Sequence, residues 1–157
     1  MPVTQVDLPD LAATEAFGRR LGAVLFPGAV VALIGPLGAG KTHIVAAIAE
    51  GLGLRDRRLV ASPTFGLIHE YPARLPIYHF DVYRLKNLAE FQDLGAHEYF
   101  EGAGVCLIEW ADKVEPCLPD DYLRIEIDVT GETTRRLHLA AAGARHQALA
   151  EAMKVKS

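Results

Sequence analysis

The sequence predicts an α/β fold in which a mixed, mainly parallel sheet lies between two layers of helices. Residues 29–34 are apolar throughout, and residues 104–110 are apolar except for Glu109, as expected for strands that are covered on both faces. Segments with helical periodicity separate these runs, and alternating polar and apolar residues elsewhere predict antiparallel hairpins. The chain has 157 residues, 50% of them hydrophobic, and no internal repeat, so one domain over residues 1–157 is expected.

The first half of the chain alternates helix and strand. After a short extended segment, a helix is predicted over residues 11–25, with Asp10 as its N-cap. Its apolar face consists of Phe17, Leu21, Val24 and Leu25. The strand at 29–34 is followed by a second helix over 41–52, whose inner side carries Ile44, Ala47 and Ile48.

The second half contains two predicted hairpins and two more helices. Its elements are, in order, strands at 65–71 and 76–85, a helix at 87–101, strands at 104–110, 122–129 and 134–141, and a helix at 144–154. Turns around Pro72-Ala73-Arg74 and Thr130-Gly131-Glu132 join the two strand pairs into hairpins.

Composition excludes several classes of protein. The formal charge of −4 gives no overall attraction to nucleic acid. No basic-then-apolar leader begins the chain, and the longest apolar run is too short to span a bilayer. Cys106 and Cys117 lack a CxxC spacing and are expected to be reduced. A cytosolic protein without a membrane partner is therefore predicted.

The segment GPLGAGKT at residues 35–42 matches the phosphate-binding pattern G-x-x-x-x-G-K-[ST]. Gly35, Gly38 and Gly40 allow the backbone, including Ala39, to turn its N–H groups toward one point. Lys41 would reach the β- and γ-phosphates and Thr42 would ligate Mg²⁺. The apolar strand before the motif and the helix after it are the expected context, so a P-loop NTPase-like sandwich that binds ATP or ADP with Mg²⁺ is predicted.

Hydrolysis requires further groups besides the phosphate loop. Glu109 ends an apolar strand, where a second Mg²⁺-side carboxylate is expected, although a plain strand-end glutamate would look the same. Asp81, read as mid-strand, would bind Mg²⁺ through water or orient the attacking water, or else pair with Arg84 or Arg74. Thr64 resembles the switch threonine of GTPases, although alone it reads as a turn hydroxyl. No N-K-x-D motif is present, which favours ATP over GTP.

Four motifs together resemble the bacterial TsaE family, also called YjeE. They are GPLGAGKT, SPTF at 62–65, HFDVYRL at 79–85 and LIEWAD at 107–112. The resemblance covers nearly the whole chain, because LPD at 8–10, LG at 94–95, EYF at 98–100 and LPD at 118–120 also match in order and spacing.

The resemblance implies a small P-loop ATPase needed for N6-threonylcarbamoyladenosine at position 37 of tRNAs that read ANN codons. Family members act on the TsaD–TsaB complex, in which TsaD transfers the threonylcarbamoyl group, and they reset it between turnovers. tRNA is thus a partner only indirectly. The nucleotide, Mg²⁺ and hydrolysis roles carry over onto Lys41, Thr42, Asp81 and Glu109, and the roles of the SPTF threonine and the EW tryptophan onto Thr64 and Trp110.

The sequence departs from the family pattern at Pro36, His43 and Ala111, none of which removes a phosphate or metal group. Thr14 and one of Arg135 or Arg136, here Arg135, match family positions near the nucleoside.

No arginine finger and no substrate lid are evident, so hydrolysis is expected to be slow until a partner supplies order or charge. Two alternatives stay open: a small-molecule kinase on the same loop, and a nucleotide-gated binding module whose hydrolysis is incidental.

Overall fold

The computed structural model describes residues 2–36, 38–61 and 68–154. Their strands are β1 (Val3–Leu8), β2 (Val30–Ile34), β3 (Ile68–Tyr71), β4 (Ile77–Asp81), β5 (Val105–Glu109), β6 (Tyr122–Val129) and β7 (Arg135–Ala142). Their α-helices are α1 (Leu11–Val24), α2 (Lys41–Gly51), α3 (Leu88–Asp93), α4 (Ala96–Glu101) and α5 (Ala144–Ala152). Short 3₁₀ helices lie at Arg57–Leu59, Ala111–Lys113 and Glu115–Cys117.

Within these residues the strands form one sheet in the order β1-β7-β6-β2-β5-β4-β3. The four neighbours β6, β2, β5 and β4 run parallel, and β7, β1 and β3 each run antiparallel to the strand beside them. Residues of α1, α2 and α5 share one core with one sheet face, and α3 and α4 pack on the other. The predicted three-layer α/β sandwich is confirmed.

The central strand β2 shows why its sequence is apolar throughout. Val31 and Leu33 belong to the core under α1 and α2, whereas Val30 and Ala32 belong to the core under α3 and α4. All five residues of β2 are buried. None of the helices in the described part of the chain is long and apolar enough to cross a membrane.

Several predicted boundaries differ from the structure. The helix expected over 87–101 is two short helices, because Gly95 adopts a left-handed φ of 73° and interrupts the hydrogen-bond ladder. Val24, predicted to face inward, is 44% exposed, because α1 ends there and Leu25 turns into the core instead. The extended N-terminal segment is the edge strand β1. Residues 65–67 of the strand predicted at 65–71 lie outside the described residues.

Helices α1 and α2 cross with their backbones in close contact. A Cβ built on Gly22 would lie 2.1 Å from the Ile48 carbonyl oxygen, and one on Gly51 would lie 2.2 Å from that of Arg19. A Cβ on Gly18 would meet the Ala47 methyl group at 2.4 Å. Glycine is therefore needed at this crossing because any side chain would hold the two helix backbones further apart.

We expect Gly22→Ala to lower the free energy of unfolding by about 1–3 kcal/mol, because the helices must separate to admit a methyl group. Urea unfolding followed by circular dichroism measures the change. Gly102→Ala is the matched control, since a Cβ there makes ordinary contacts at 3.4 Å or more. Equal stability of the Gly22 variant and the wild type would contradict the close crossing.

A buried histidine joins α5 to the start of β2. His146 accepts a hydrogen bond from the Val30 N–H at its Nε2 (3.0 Å), and its Nδ1 lies 2.5 Å from an Asp121 carboxylate oxygen. The neutral imidazole satisfies both contacts, with Nδ1 as the donor. Burial lowers the pKa of His146 below its ordinary value of 6.5, against the opposing effect of Asp121.

Because its pKa is depressed in the folded state, His146 contributes stability above the unfolded pKa and loses it as the pH falls below about 6.5. We expect His146→Gln to reduce the free energy of unfolding by about 1–3 kcal/mol at pH 7.5 and to flatten the decline between pH 7.5 and 5.5. Urea unfolding at both pH values measures this. His97→Gln, at an exposed position, is the control, and an unchanged pH slope in His146→Gln would contradict the assignment.

Candidate nucleotide-binding site

The glycine-rich loop lies between the end of β2 and the start of α2. Gly38 and Gly40 have φ values of 81° and 94°, a region that favours glycine. Gly40 is the N-cap of α2 and makes no side-chain capping hydrogen bond. The first-turn N–H groups of α2 therefore have no side-chain acceptor at the cap, which suits an anionic ligand. Leu37 lies outside the described residues.

Lys41, the first residue of α2, is buried beside this loop. Its ammonium donates to the backbone carbonyls of Gly35 (2.7 Å) and Pro36 (2.9 Å). It also lies 3.7 Å from the ring centroid of Trp110, within cation–π range. Burial lowers the pKa of Lys41, and the carboxylates of Glu109, Asp81 and Asp112 oppose that shift, in that order. The lysine thus neutralises an acidic neighbourhood at the loop.

Thr42 meets Glu109 next to Lys41. The Thr42 hydroxyl is 3.0 and 2.9 Å from the two carboxylate oxygens of Glu109. Parallel pairing of β2 with β5, with Leu33 opposite Glu109, brings the strand end to the start of α2. A hydroxyl and a carboxylate are the hard oxygen ligands that Mg²⁺ prefers, so the residues present fit this ion.

Asp81 is the last residue of β4, and the prediction that it lies mid-strand is wrong. The strand ends there because the next residues turn away, and an Asp81 carboxylate oxygen accepts the Tyr83 N–H at 3.0 Å. Asp81 stands opposite Glu109 in the parallel pair of β4 and β5. Both acids therefore occupy the same edge of the sheet as the loop, where open α/β sheets bind ligands.

Trp110 covers Lys41 from the end of β5. Among the described residues it is the one non-glycine residue with positive φ, at 61°. Its ring also packs on Tyr83, with centroids 4.7 Å apart. Lys113 in turn donates to the Tyr83 carbonyl at 2.5 Å. A left-handed tryptophan costs of the order of 1 kcal/mol, which the surrounding contacts must offset.

The remaining predicted residues differ in whether they contact the glycine-rich loop. Arg135 Nε donates to the Ala39 carbonyl at 2.9 Å, whereas Arg136 pairs with Asp7. The Thr14 hydroxyl donates within its own helix, to the Asp10 carbonyl at 3.3 Å. Arg135 thus touches the loop, whereas the Thr14 hydroxyl contacts the backbone of the residue that caps α1. Thr64 lies outside the described residues.

Two residues of the site were not predicted. His79 Nε2 lies 2.5 Å from Glu109, and the hydroxyl of Tyr71 lies 2.9 Å from His79 Nδ1. His79 is fully buried. Burial raises the pKa of Tyr71 above its ordinary value; the hydrogen bond with Ala61 opposes this shift, and the charge of Glu109 adds to it. The available signal was the alternation in HFD, which puts His79 and Asp81 on one strand face.

In the described part of the chain, no cluster of three or more histidine, cysteine, aspartate or glutamate side chains is placed to bind a metal. Mg²⁺ in phosphate-binding sites is usually held by one or two protein groups together with phosphates and waters. Thr42 and Glu109, with Asp81 on the adjacent strand, are compatible with that kind of site.

Comparison with known proteins identifies the family of the chain. A family model described as "Threonylcarbamoyl adenosine biosynthesis protein TsaE" matches residues 8–137. The chain is 46% identical over 139 residues to a tRNA threonylcarbamoyladenosine biosynthesis protein TsaE of Bacillus subtilis, covering 88% of this chain and 85% of that protein. A protein of the same description in Treponema pallidum is 42% identical over 127 residues, covering 81% of this chain and 93% of that one.

A solved structure agrees as well. The crystal structure of Bacillus subtilis YdiB superimposes with a TM-score of 0.80 and 37% sequence identity, covering 97% of this chain and 94% of that one. The family model and these relatives span most of the chain, including the glycine-rich loop and both strand-end acids. The chain therefore belongs to the TsaE family of tRNA threonylcarbamoyladenosine biosynthesis proteins.

Proposed function

We propose that this chain is a cytosolic, Mg²⁺-dependent ATPase subunit of tRNA threonylcarbamoyladenosine biosynthesis, which hydrolyses ATP slowly and acts on the TsaD–TsaB complex to support repeated turnovers. The observation that carries the proposal is the contact of the Thr42 hydroxyl with the Glu109 carboxylate beside the glycine-rich loop. Family membership supports the pathway. Contact with tRNA would be indirect.

Each residue has a role in this proposal. The backbone of Gly35, Gly38, Ala39 and Gly40 would surround the phosphates, and Lys41 would exchange its carbonyl partners for them. Thr42 and Glu109 would hold Mg²⁺, which supplies positive charge against the phosphate oxygens. Asp81, with Thr64, would position the attacking water or a water bound to the metal. Trp110 and Thr14 would contact the nucleotide.

The surroundings of Arg135 support slow hydrolysis. Its guanidinium donates to backbone carbonyls of Ala39 (2.9 Å), Gly131 (3.0 Å), Thr134 (2.8 Å) and Glu132 (3.3 Å). These bonds fix the loop to the β6–β7 turn and occupy the charge that an arginine finger would direct at a γ-phosphate. A partner that adds charge or order at the γ-phosphate would then accelerate hydrolysis.

We expect phosphate release from Mg·ATP to be slow for the chain alone and to rise by about tenfold or more with TsaD–TsaB. One well-placed cation can raise the rate of phosphoryl transfer by ~10³-fold or more. Lys41→Ala should lower the rate by about a hundredfold, since it removes a donor at the developing charge. A coupled phosphate assay measures both.

Lys154→Ala is the matched control for this assay, since it removes an exposed lysine that pairs with Glu151. Equal phosphate release with and without the partner complex would refute partner stimulation. A phosphorylated acceptor in place of released phosphate would favour a small-molecule kinase.

Glu109→Gln separates hydrolysis from occupancy. The amide keeps the size of the side chain but loses the charge that would hold Mg²⁺ and activate water, so we expect hydrolysis to fall by about a hundredfold while nucleotide still binds. Multiple-turnover modification of tRNA should then stop after roughly one cycle. Sustained modification by a hydrolysis-dead variant would instead indicate a binding module that needs only nucleotide occupancy.

A further inference from the structure

A buried chain of side chains leads away from Glu109. His79 Nε2 lies 2.5 Å from one carboxylate oxygen, Oε2, and His79 Nδ1 lies 2.9 Å from the Tyr71 hydroxyl. The Tyr71 oxygen lies within 3.4 Å of both the N–H and the carbonyl of Ala61. This series of contacts therefore connects the strand-end acid to the backbone at Ala61.

The direction of the hydrogen bonds follows from the chemistry of the partners. An ionised carboxylate only accepts, so His79 Nε2 must donate to Glu109. In a neutral imidazole, Nδ1 is then the acceptor, and the Tyr71 hydroxyl donates a hydrogen bond to it. Tyr71 thereby fixes both the tautomer and the ring orientation that the donor to Glu109 requires.

The contact is not symmetrical between the two carboxylate oxygens. Oε2 lies near two groups, His79 Nε2 and the Thr42 hydroxyl, whereas the partner of Oε1 is the Thr42 hydroxyl. If Thr42 turns to another ligand, His79 still holds Oε2, and Oε1 becomes available to a metal ion beside Thr42. A glutamate without this anchor would lose side-chain freedom when it binds the metal ion, at a cost in conformational entropy.

We propose that His79, oriented by Tyr71, is the positioning residue of Glu109, presenting one chosen carboxylate oxygen to the Mg²⁺ that accompanies a nucleotide. This inference rests on the proposed nucleotide site and adds to it a pair of residues that set the affinity for the ion. Neither residue touches the nucleotide in this scheme. Removing such supporting groups typically weakens metal binding by 10- to 100-fold in known sites, as an order of magnitude.

A second histidine–carboxylate pair, between α5 and the residue before β6, has a different role. His146 and Asp121 are equally close, at 2.5 Å, and His146 is also buried, but this pair binds the first residue of β2, at the opposite end of the strand from the loop. Loss of either histidine should cost stability. Only loss of His79 should change the dependence of nucleotide binding on Mg²⁺.

The test measures the Mg²⁺ concentration that half-saturates ATP binding, read from the fluorescence of Trp110, the single tryptophan of the chain, and repeated by calorimetry. We expect His79→Leu to raise that concentration by about tenfold. Binding of ATP in EDTA should stay within about twofold of the wild type, because Lys41 and the loop are intact. Tyr71→Phe should also raise the half-saturating Mg²⁺ concentration, by a smaller factor than His79→Leu.

His79→Gln serves as the conservative variant, because its amide N–H can still donate to Glu109, and it should restore most of the Mg²⁺ affinity. His146→Gln, measured under conditions in which it and His79→Leu are folded to the same extent, should leave the Mg²⁺ dependence unchanged. Wild-type Mg²⁺ dependence in both His79→Leu and Tyr71→Phe would overturn the inference and leave the nucleotide site standing. Absence of nucleotide binding by the wild-type chain would instead refute the proposed function itself.

Discussion

The hydrogen bond between Thr42 and Glu109 is the contact on which the rest of the site depends. The two residues are 67 positions apart in the chain, and they meet because β2 and β5 pair in parallel, with Leu33 opposite Glu109. Parallel pairing puts the carboxyl ends of both strands at one edge of the sheet, where α2 also begins. A shift of one residue in that pairing would turn the Glu109 side chain to the other face.

The glycine-rich loop and the Trp110 ring enclose the ammonium group of Lys41. Lys41 is held by two carbonyls of its own loop and by the ring of Trp110, while the charges of Glu109 and Asp81 oppose the effect of its burial. The left-handed backbone of Trp110 persists because Lys41 and Tyr83 contact its ring on the neighbouring elements. Local strain at the end of β5 is thus tied to the same site as the strand-end acids.

Two buried histidines, each beside a carboxylate, lie at opposite ends of the parallel strands. His146 joins α5 to the beginning of β2 through Nε2 and to Asp121, just before β6, through Nδ1. His79 uses both ring nitrogens to join Tyr71 of the edge strand β3 to Glu109 at the end of β5. The physical difference is the partner: a backbone N–H in one case and a carboxylate beside the glycine-rich loop in the other. That difference is why only His79 carries a functional hypothesis.

The sequence by itself determined the fold class and most elements, and it proposed the central residues of the candidate site, because burial on both faces, helical periodicity and the glycine spacing are local patterns. It also predicted that Glu109 would lie near the loop. It placed Asp81 within a strand that in fact ends there, and it missed the break at Gly95, since strand and helix ends depend on what packs beyond them. Only the tertiary structure decided that Arg135 rather than Arg136 contacts the loop, and that His79 and Tyr71 support Glu109, because those contacts join separate strands through a register that no local pattern encodes.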